Sequence, residues 1–219
     1  MIGANTLNDL LEATGSDAST PGGGAIAAVA GALGAALGEM SCRYTRGRKY
    51  ADRAAEIERL LASLESSRRR FVEIADRDIA AYGGFSEAMK MPRDTEEAKA
   101  ARRAAMQAAL ASAMDVPLEC ASEAVAVLGV LGELAPLANP NLASDVGCAA
   151  WAARAALGSA RLNVLVNADG LADAGAAGRA VERIEELRER GEDSARDTLA
   201  SIDRGFRVLE GRGSSGETS

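Results

Sequence analysis

Histidine is absent from the 219-residue chain. That excludes every His-based catalytic triad and every His-containing metal site, so any acid–base chemistry falls to Asp, Glu, Lys, Tyr or Cys. Aromatic residues make up only 3% of the sequence, against 47% hydrophobic residues overall. The core must therefore be built from Ala, Leu, Val and Ile, which suit closely packed helices better than sheets. Basic blocks are missing too, and the net charge is -7. No nucleic-acid partner is expected, because phosphate contacts need clustered Lys and Arg. Cysteine is scarce: Cys42, Cys120 and Cys148 lie far apart and form no metal-type pair. They read as small buried hydrophobes in a reducing compartment. The first residues, MIGANTLNDLLEATGSD, lack a positive start followed by an apolar run. No signal peptide is expected, and a cytoplasmic location is.

What the chain has in quantity is small apolar sequence. From Gly22 to Gly38 there is no charge. A membrane span needs about 20 strongly apolar residues, and this run is rich in Ala and Gly with no second candidate after it, so no membrane partner is expected. GGGAIA has the form of a dinucleotide fingerprint, yet no strand precedes it and no βαβ pattern surrounds it. The G-K-S/T of a nucleoside triphosphatase loop is missing. As a helix the run has two stripes: Ile26, Val29, Leu33, Leu37 and Met40 on one, and Ala27, Gly31, Gly34 and Gly38 on the other. Glycine costs about 1 kcal/mol in a helix relative to Ala. Three on one face imply that another backbone approaches there, as in a central core helix. The free N–H groups of the preceding triple glycine suit an anion.

The remaining pattern is helical throughout. A short helix is expected over 6–13 and a long one over 52–89. After the Pro92 break, a helix capped by Asp94 runs towards Leu134, kinked or split by Pro117. An Ala-rich helix is expected over 144–167 and a last one over 172–209, before a disordered tail at 211–219. No β alternation, repeat or linker appears. The expected architecture is all-α: one domain over 1–210, an up-and-down-like bundle of five to seven helices around the central Ala/Gly-rich one.

Several polar residues stand where apolar ones belong. Phe71, Ile74, Ala75, Asp78, Tyr82, Phe85 and Met89 follow helical spacing, which places Asp78 inside an apolar stripe, one turn before Tyr82. An unpaired core carboxylate is costly, so Asp78 is either hydrogen-bonded to a neighbouring helix or lines a cavity. Asn139, Asn141, Ser144 and Asp145 crowd one loop, where on pattern alone helix capping is the plainer account. Asn163 and Asn167 lie one turn apart at the far end of the helix that follows. Asp145 and Asn163 are in phase but 18 residues apart, a helical span of about 27 Å. They cannot touch one substrate atom from a single straight helix. Arg46, Arg48 and Lys49 form a basic turn.

Taken in order, TPGGGAIAAVAGALGAALGEM, DIAAY…MKMP, DVPLECA and NPNLASDVGCAA…ARLNVLVN resemble the cyclodeaminase/cyclohydrolase family over residues 6 to 190. The resemblance implies an all-helical homodimer acting on a one-carbon tetrahydrofolate derivative, with no metal and no permanently bound cofactor. Pro21, Gly22, Gly23 and Gly24 match the family's P-G-G-G start, and Asp78 the Asp of its D-x-x-A-[FY] segment. Asn141, Ser144 and Asp145 match its N-x-x-S-D loop, and Asn163 and Asn167 its N-V-x-x-N segment. Two departures stand out: the TRGRKY turn is one residue short, and Ala25 replaces a common Ser. The resemblance implies Asp78 and Asp145 as acid and base, Tyr82 as an orienting group, and the glycines, Lys49, Asn141, Ser144, Asn163 and Asn167 as substrate contacts. The activity it implies first is hydrolysis of methenyltetrahydrofolate to formyltetrahydrofolate. A cyclodeaminase releasing ammonia and a non-catalytic oligomerisation module are the alternatives.

Overall fold

The structure, a computed structural model, describes residues 1–206. Seven α-helices and three 3-10 turns make up these residues, with no strand among them. The α-helices are α1 Leu7–Thr14, α2 Gly23–Tyr44, α3 Ala54–Lys90, α4 Glu96–Ala113, α5 Asp115–Leu134, α6 Ala143–Asp169 and α7 Ala174–Asp203.

Local chemistry explains most boundaries. Thr6 and Asp9 close a capping box on α1. Gly47, in the left-handed region at φ 92°, turns the chain out of α2 into a 3-10 turn over Arg48–Arg53. The expected cap Asp94 is displaced by its neighbour: the Thr95 hydroxyl accepts from the Ala98 N–H at 3.1 Å. The single helix expected from there to Leu134 is two helices, parted at Met114. Pro117 is the cause, because its ring would meet the carbonyl of residue 113 and it has no N–H to donate. The break therefore falls upstream, and Pro117 sits in the first turn of α5, where a missing donor costs nothing. Asp173 caps α7, accepting from Ala176 N–H at 2.9 Å, so the helix starts two residues later than expected and ends at Asp203. Leu209 and the 211–219 tail lie outside the described residues.

Four helices form one layer in the order α3, α2, α6, α7, and α5 packs across one side of it. α2 is central, as its composition implied, but its stripes divide differently. The small stripe is buried and the bulky stripe faces outward: Leu33 is 60% exposed, and Ile26, Val29, Leu37 and Met40 are half-buried. Small residues let three helices close around α2, which leaves its large side chains no room inside. By length and hydropathy α2 would suit a membrane span, yet 56% of that window is buried in the bundle. The glycines also serve three neighbours rather than one. At Gly34 a Cβ would lie 2.9 Å from the Ala149 carbonyl of α6, a true backbone approach. At Gly31 the visitor is the Phe71 ring of α3, and at Gly38 the Leu64 side chain of α3 with the Leu131 side chain of α5.

Two cysteines are buried as expected. Cys148, by contrast, is exposed.

Candidate functional site

A cavity of about 420 Å³ opens where the start of α2 meets the last turns of α3, α4 and α6. That volume is within the range of small-molecule sites. Of the residues singled out in sequence, Gly22, Gly23, Gly24, Asp78, Tyr82, Asn163 and Asn167 line it. Pro21 adjoins them in sequence and is half-buried. Asp78 is the one charged residue in the lining.

The position of Asp78 follows from the α2–α3 contact. A Cβ on Gly24 would overlap the Asp78 carboxylate, so the missing side chain makes the space that the carboxylate fills. No Lys or Arg pairs with Asp78 among the described residues. Burial raises its pKa above the ordinary carboxylate range, and the Ala25 N–H opposes that rise only in part. The anion at the start of α2 is thus the protein's own, at the end of the helix where the dipole favours negative charge. Behind it, burial and then the Asp78 charge push the Cys120 thiol up to about 12, so that thiol stays protonated and unreactive.

The other walls divide by chemistry. Tyr82, Phe85, Leu110 and Val166 offer apolar surface, and Asn163 and Asn167 offer amides. Asn163 donates to the Ser159 carbonyl at 2.9 Å, which fixes its side chain one turn back along α6, beside Gly23. No hydrogen bond joins Tyr82 to Asp78, and Tyr82 is 38% exposed at the cavity wall. Gln107 of α4 holds the far rim by accepting from Ala172 N–H at 2.6 Å and donating to the Gly170 carbonyl at 2.9 Å. Leu110, Ala113, Gly170 and Phe85 went unmarked in sequence. Leu110 and Ala113 read only as helix composition, and Phe85 as one more residue of the stripe.

Lys49, Asn141, Ser144 and Asp145 are not brought to this cavity. They stand at the opposite end of the α2/α6 pair, which runs antiparallel: Gly23 lies by Asn163, Gly34 by Ala149 and Ala153, and the Thr45 hydroxyl accepts from Asn139 N–H at 2.9 Å. The capping role in that loop belongs to Asn139, whose side chain accepts from Asn141 N–H at 3.1 Å. Asp145 lies in the first turn of α6, half-buried, and caps nothing. Within one chain, then, Asp78 and Asp145 do not face a common ligand. No group of three or more Cys, Asp or Glu side chains suited to a metal ion occurs among the described residues.

A poorly solvated, unpaired carboxylate facing a mostly apolar cavity can exchange protons with a bound ligand and attract a cationic one. Known proteins share this framework. A family profile described as formiminotransferase-cyclodeaminase matches residues 6–186. A methenyltetrahydrofolate cyclohydrolase from Methylorubrum extorquens is 41% identical over 188 residues, covering 85% of this chain and 89% of that protein. A formimidoyltransferase-cyclodeaminase from Sus scrofa is 33% identical over 83% of this chain, which spans only 34% of that longer protein. The crystal structure of formiminotetrahydrofolate cyclodeaminase from Thermotoga maritima superposes with a TM-score of 0.84 at 27% identity, covering 93% of this chain and 98% of that one. With the profile spanning most of the chain and the helical framework shared, the chain belongs to the formiminotransferase-cyclodeaminase family.

Proposed function

We propose that this protein is a methenyltetrahydrofolate cyclohydrolase. The observation that carries the reading is the Asp78 carboxylate, unpaired and open to the cavity. Its 41% identity with a cyclohydrolase of similar length supports the choice of reaction. The substrate is a cation whose methenyl carbon bridges two folate nitrogens. A cavity whose only charge is negative favours it. The apolar walls of Tyr82, Phe85 and Leu110 accept a flat ring, and Asn163 and Asn167 meet its polar edge.

In the reaction a water oxygen bonds to the methenyl carbon and loses a proton to Asp78. One carbon–nitrogen bond then breaks: the departing nitrogen takes the proton held by Asp78, and the adduct's hydroxyl releases its own proton as the formyl C=O forms. The net products are formyltetrahydrofolate and one proton. A pKa raised by burial suits Asp78 to hold and return that proton. No resident metal or cofactor enters these steps. The protein acts as a homodimer in the cytoplasm, where its free thiols stay reduced.

The fold shared with a formiminotetrahydrofolate cyclodeaminase keeps that activity as the second reading. Purified protein is mixed with methenyltetrahydrofolate and its absorbance followed, then with formiminotetrahydrofolate and ammonia followed. Loss of the methenyl absorbance without ammonia from the second substrate is expected. Ammonia release alone would reassign the chain as a cyclodeaminase, and activity on neither would return it to a scaffold.

A further inference from the structure

Glutamine occurs once in the chain, at Gln107. It stands on α4, which differs from the other long helices in burying none of its residues. α4 packs chiefly along α3. Among the described residues, only two of its side chains hydrogen-bond beyond the helix. Arg102 Nε donates to the Met89 carbonyl at 3.0 Å, a tie back to the end of α3. Gln107 reaches the other way, to the turn that leaves α6.

That turn has two backbone groups to satisfy. Neither the Gly170 carbonyl nor the Ala172 N–H has a backbone partner. One is an acceptor and the other a donor, and a primary amide offers the complement of each. The Gln107 Oε1 accepts from Ala172 N–H at 2.6 Å, and its Nε2 donates to the Gly170 carbonyl at 2.9 Å. A carboxylate at this position could only accept, and an ammonium only donate. Three residues along α4, Leu110 packs on the same turn. A Cβ on Gly170 would lie 3.2 Å from the Leu110 Cδ1, so the bare glycine seats that side chain.

The result is a closed ring of walls. α3 and α6 flank α2, whose first residues lie between them at the cavity. α4 leans on α3 and is joined to the end of α6 through Gln107. Leu110 and Ala113 line the cavity from the α4 side, Asn167 and Gly170 from the α6 side. We propose that Gln107 is a positioning residue for the substrate: by joining α4 to the turn after α6, it holds the apolar wall of Leu110 and the amide of Asn167 at the separation a flat heterocyclic ring requires. It therefore sets affinity rather than the rate of proton transfer. Asp78 is seated by Gly24 between α2 and α3, and its place does not depend on that link. The proposal rests on the folate reading, and its test separates the two.

Gln107→Met keeps the length of the side chain and its helix preference and removes both bonds. On methenyltetrahydrofolate its KM should rise about tenfold, the scale of one or two neutral hydrogen bonds, with kcat within about threefold of wild type. The acid limb of kcat/KM should stay at the same pH. Arg102→Met cuts the other tie of α4 and is the control; its KM should match wild type. Hydrogen exchange at the Ala172 amide, followed by NMR without substrate, should be faster in Gln107→Met and unchanged in Arg102→Met. An unchanged KM in Gln107→Met, an equal rise in Arg102→Met, a loss confined to kcat, or unaltered exchange at Ala172 overturns the proposal. If Gln107→Met does not keep its helical circular dichroism, Gln107→Ala, the gentlest substitution for a helix, carries the same measurements with the same expected results. Wild-type protein that turns over neither folate substrate would instead remove the folate reading, and with it the claim on KM; the exchange rates would still decide the link.

Discussion

Three contacts between α2 and α3 use one device, and one of them differs in kind. On α2, Gly38, Gly31 and Gly24 stand seven residues apart, and on the antiparallel α3 so do Leu64, Phe71 and Asp78. Each glycine leaves a hole that the matching α3 side chain fills. A seven-residue repeat is the spacing at which side chains of one helix keep meeting the same face of another. The first two knobs are apolar, fully buried and serve packing. The third is a carboxylate, half-buried, at the edge where the layer opens into the cavity. Other buried carboxylates in the molecule are neutralised: Glu39 accepts from Arg68 at 2.6 Å, and Glu123 from Arg70 at 3.2 Å. Asp78 alone faces the cavity without a cation. The fold thus spends two positions of the repeat on stability and keeps the third for chemistry.

Changing the third knob should have the largest effect on turnover. Asp78→Asn keeps the shape and removes the base; turnover should fall by roughly 10²–10⁴-fold, with the melting temperature held or raised, as steady-state kinetics and thermal denaturation would report. Turnover within a few-fold of wild type would erase the distinction between the knobs.

Filling the third hole comes next. Gly24→Ala places a Cβ into the carboxylate and must displace it. A misplacement of about 1 Å can cost on the order of 10²-fold in rate, so kcat should drop while circular dichroism is unchanged.

The second hole should respond in stability instead. Gly31→Ala drives a methyl into the rigid Phe71 ring, an overpacking worth about 1–3 kcal/mol, measured by urea denaturation. If Gly31→Ala lost kcat at unchanged stability, or Gly24→Ala did the reverse, the division of labour would be wrong.

The smallest expected effect is a shift along the pH axis. Since Asp78 must be ionised to take a proton, kcat/KM should rise with pH through its raised pKa, above the ordinary value of about 3.9. That acid limb should vanish in Asp78→Asn. The linkage has the opposite sign for folding: a raised carboxylate contributes stability below its unfolded pKa and loses it as pH climbs through the folded one. Asp78→Asn should remove that loss.

Much of the molecule was legible residue by residue. The α-helices, their order and the misplaced Asp78 follow from a 3.6-residue period, which is a local property of the chain. Capping chemistry moved boundaries by a residue or two at Thr95 and Asp173, and the ring of Pro117 moved a helix break upstream. The site was only half legible. Seven of its candidate residues share a cavity, and Lys49, Asn141, Ser144 and Asp145 lie at the other end of the helix pair. Family motifs name residues without saying at which end of the helix pair each will stand.

The sequence by itself determined a helical chain of this family with one carboxylate among oily neighbours, because periodicity and motif order act over a few turns. Only the tertiary structure decided that Gly24 is the hole for Asp78, that the bulky face of α2 turns outward, and that Asp145 sits a helix length away. Those outcomes depend on which helices lie antiparallel and at what register, and register is set by the packing of the whole layer rather than by any segment within it.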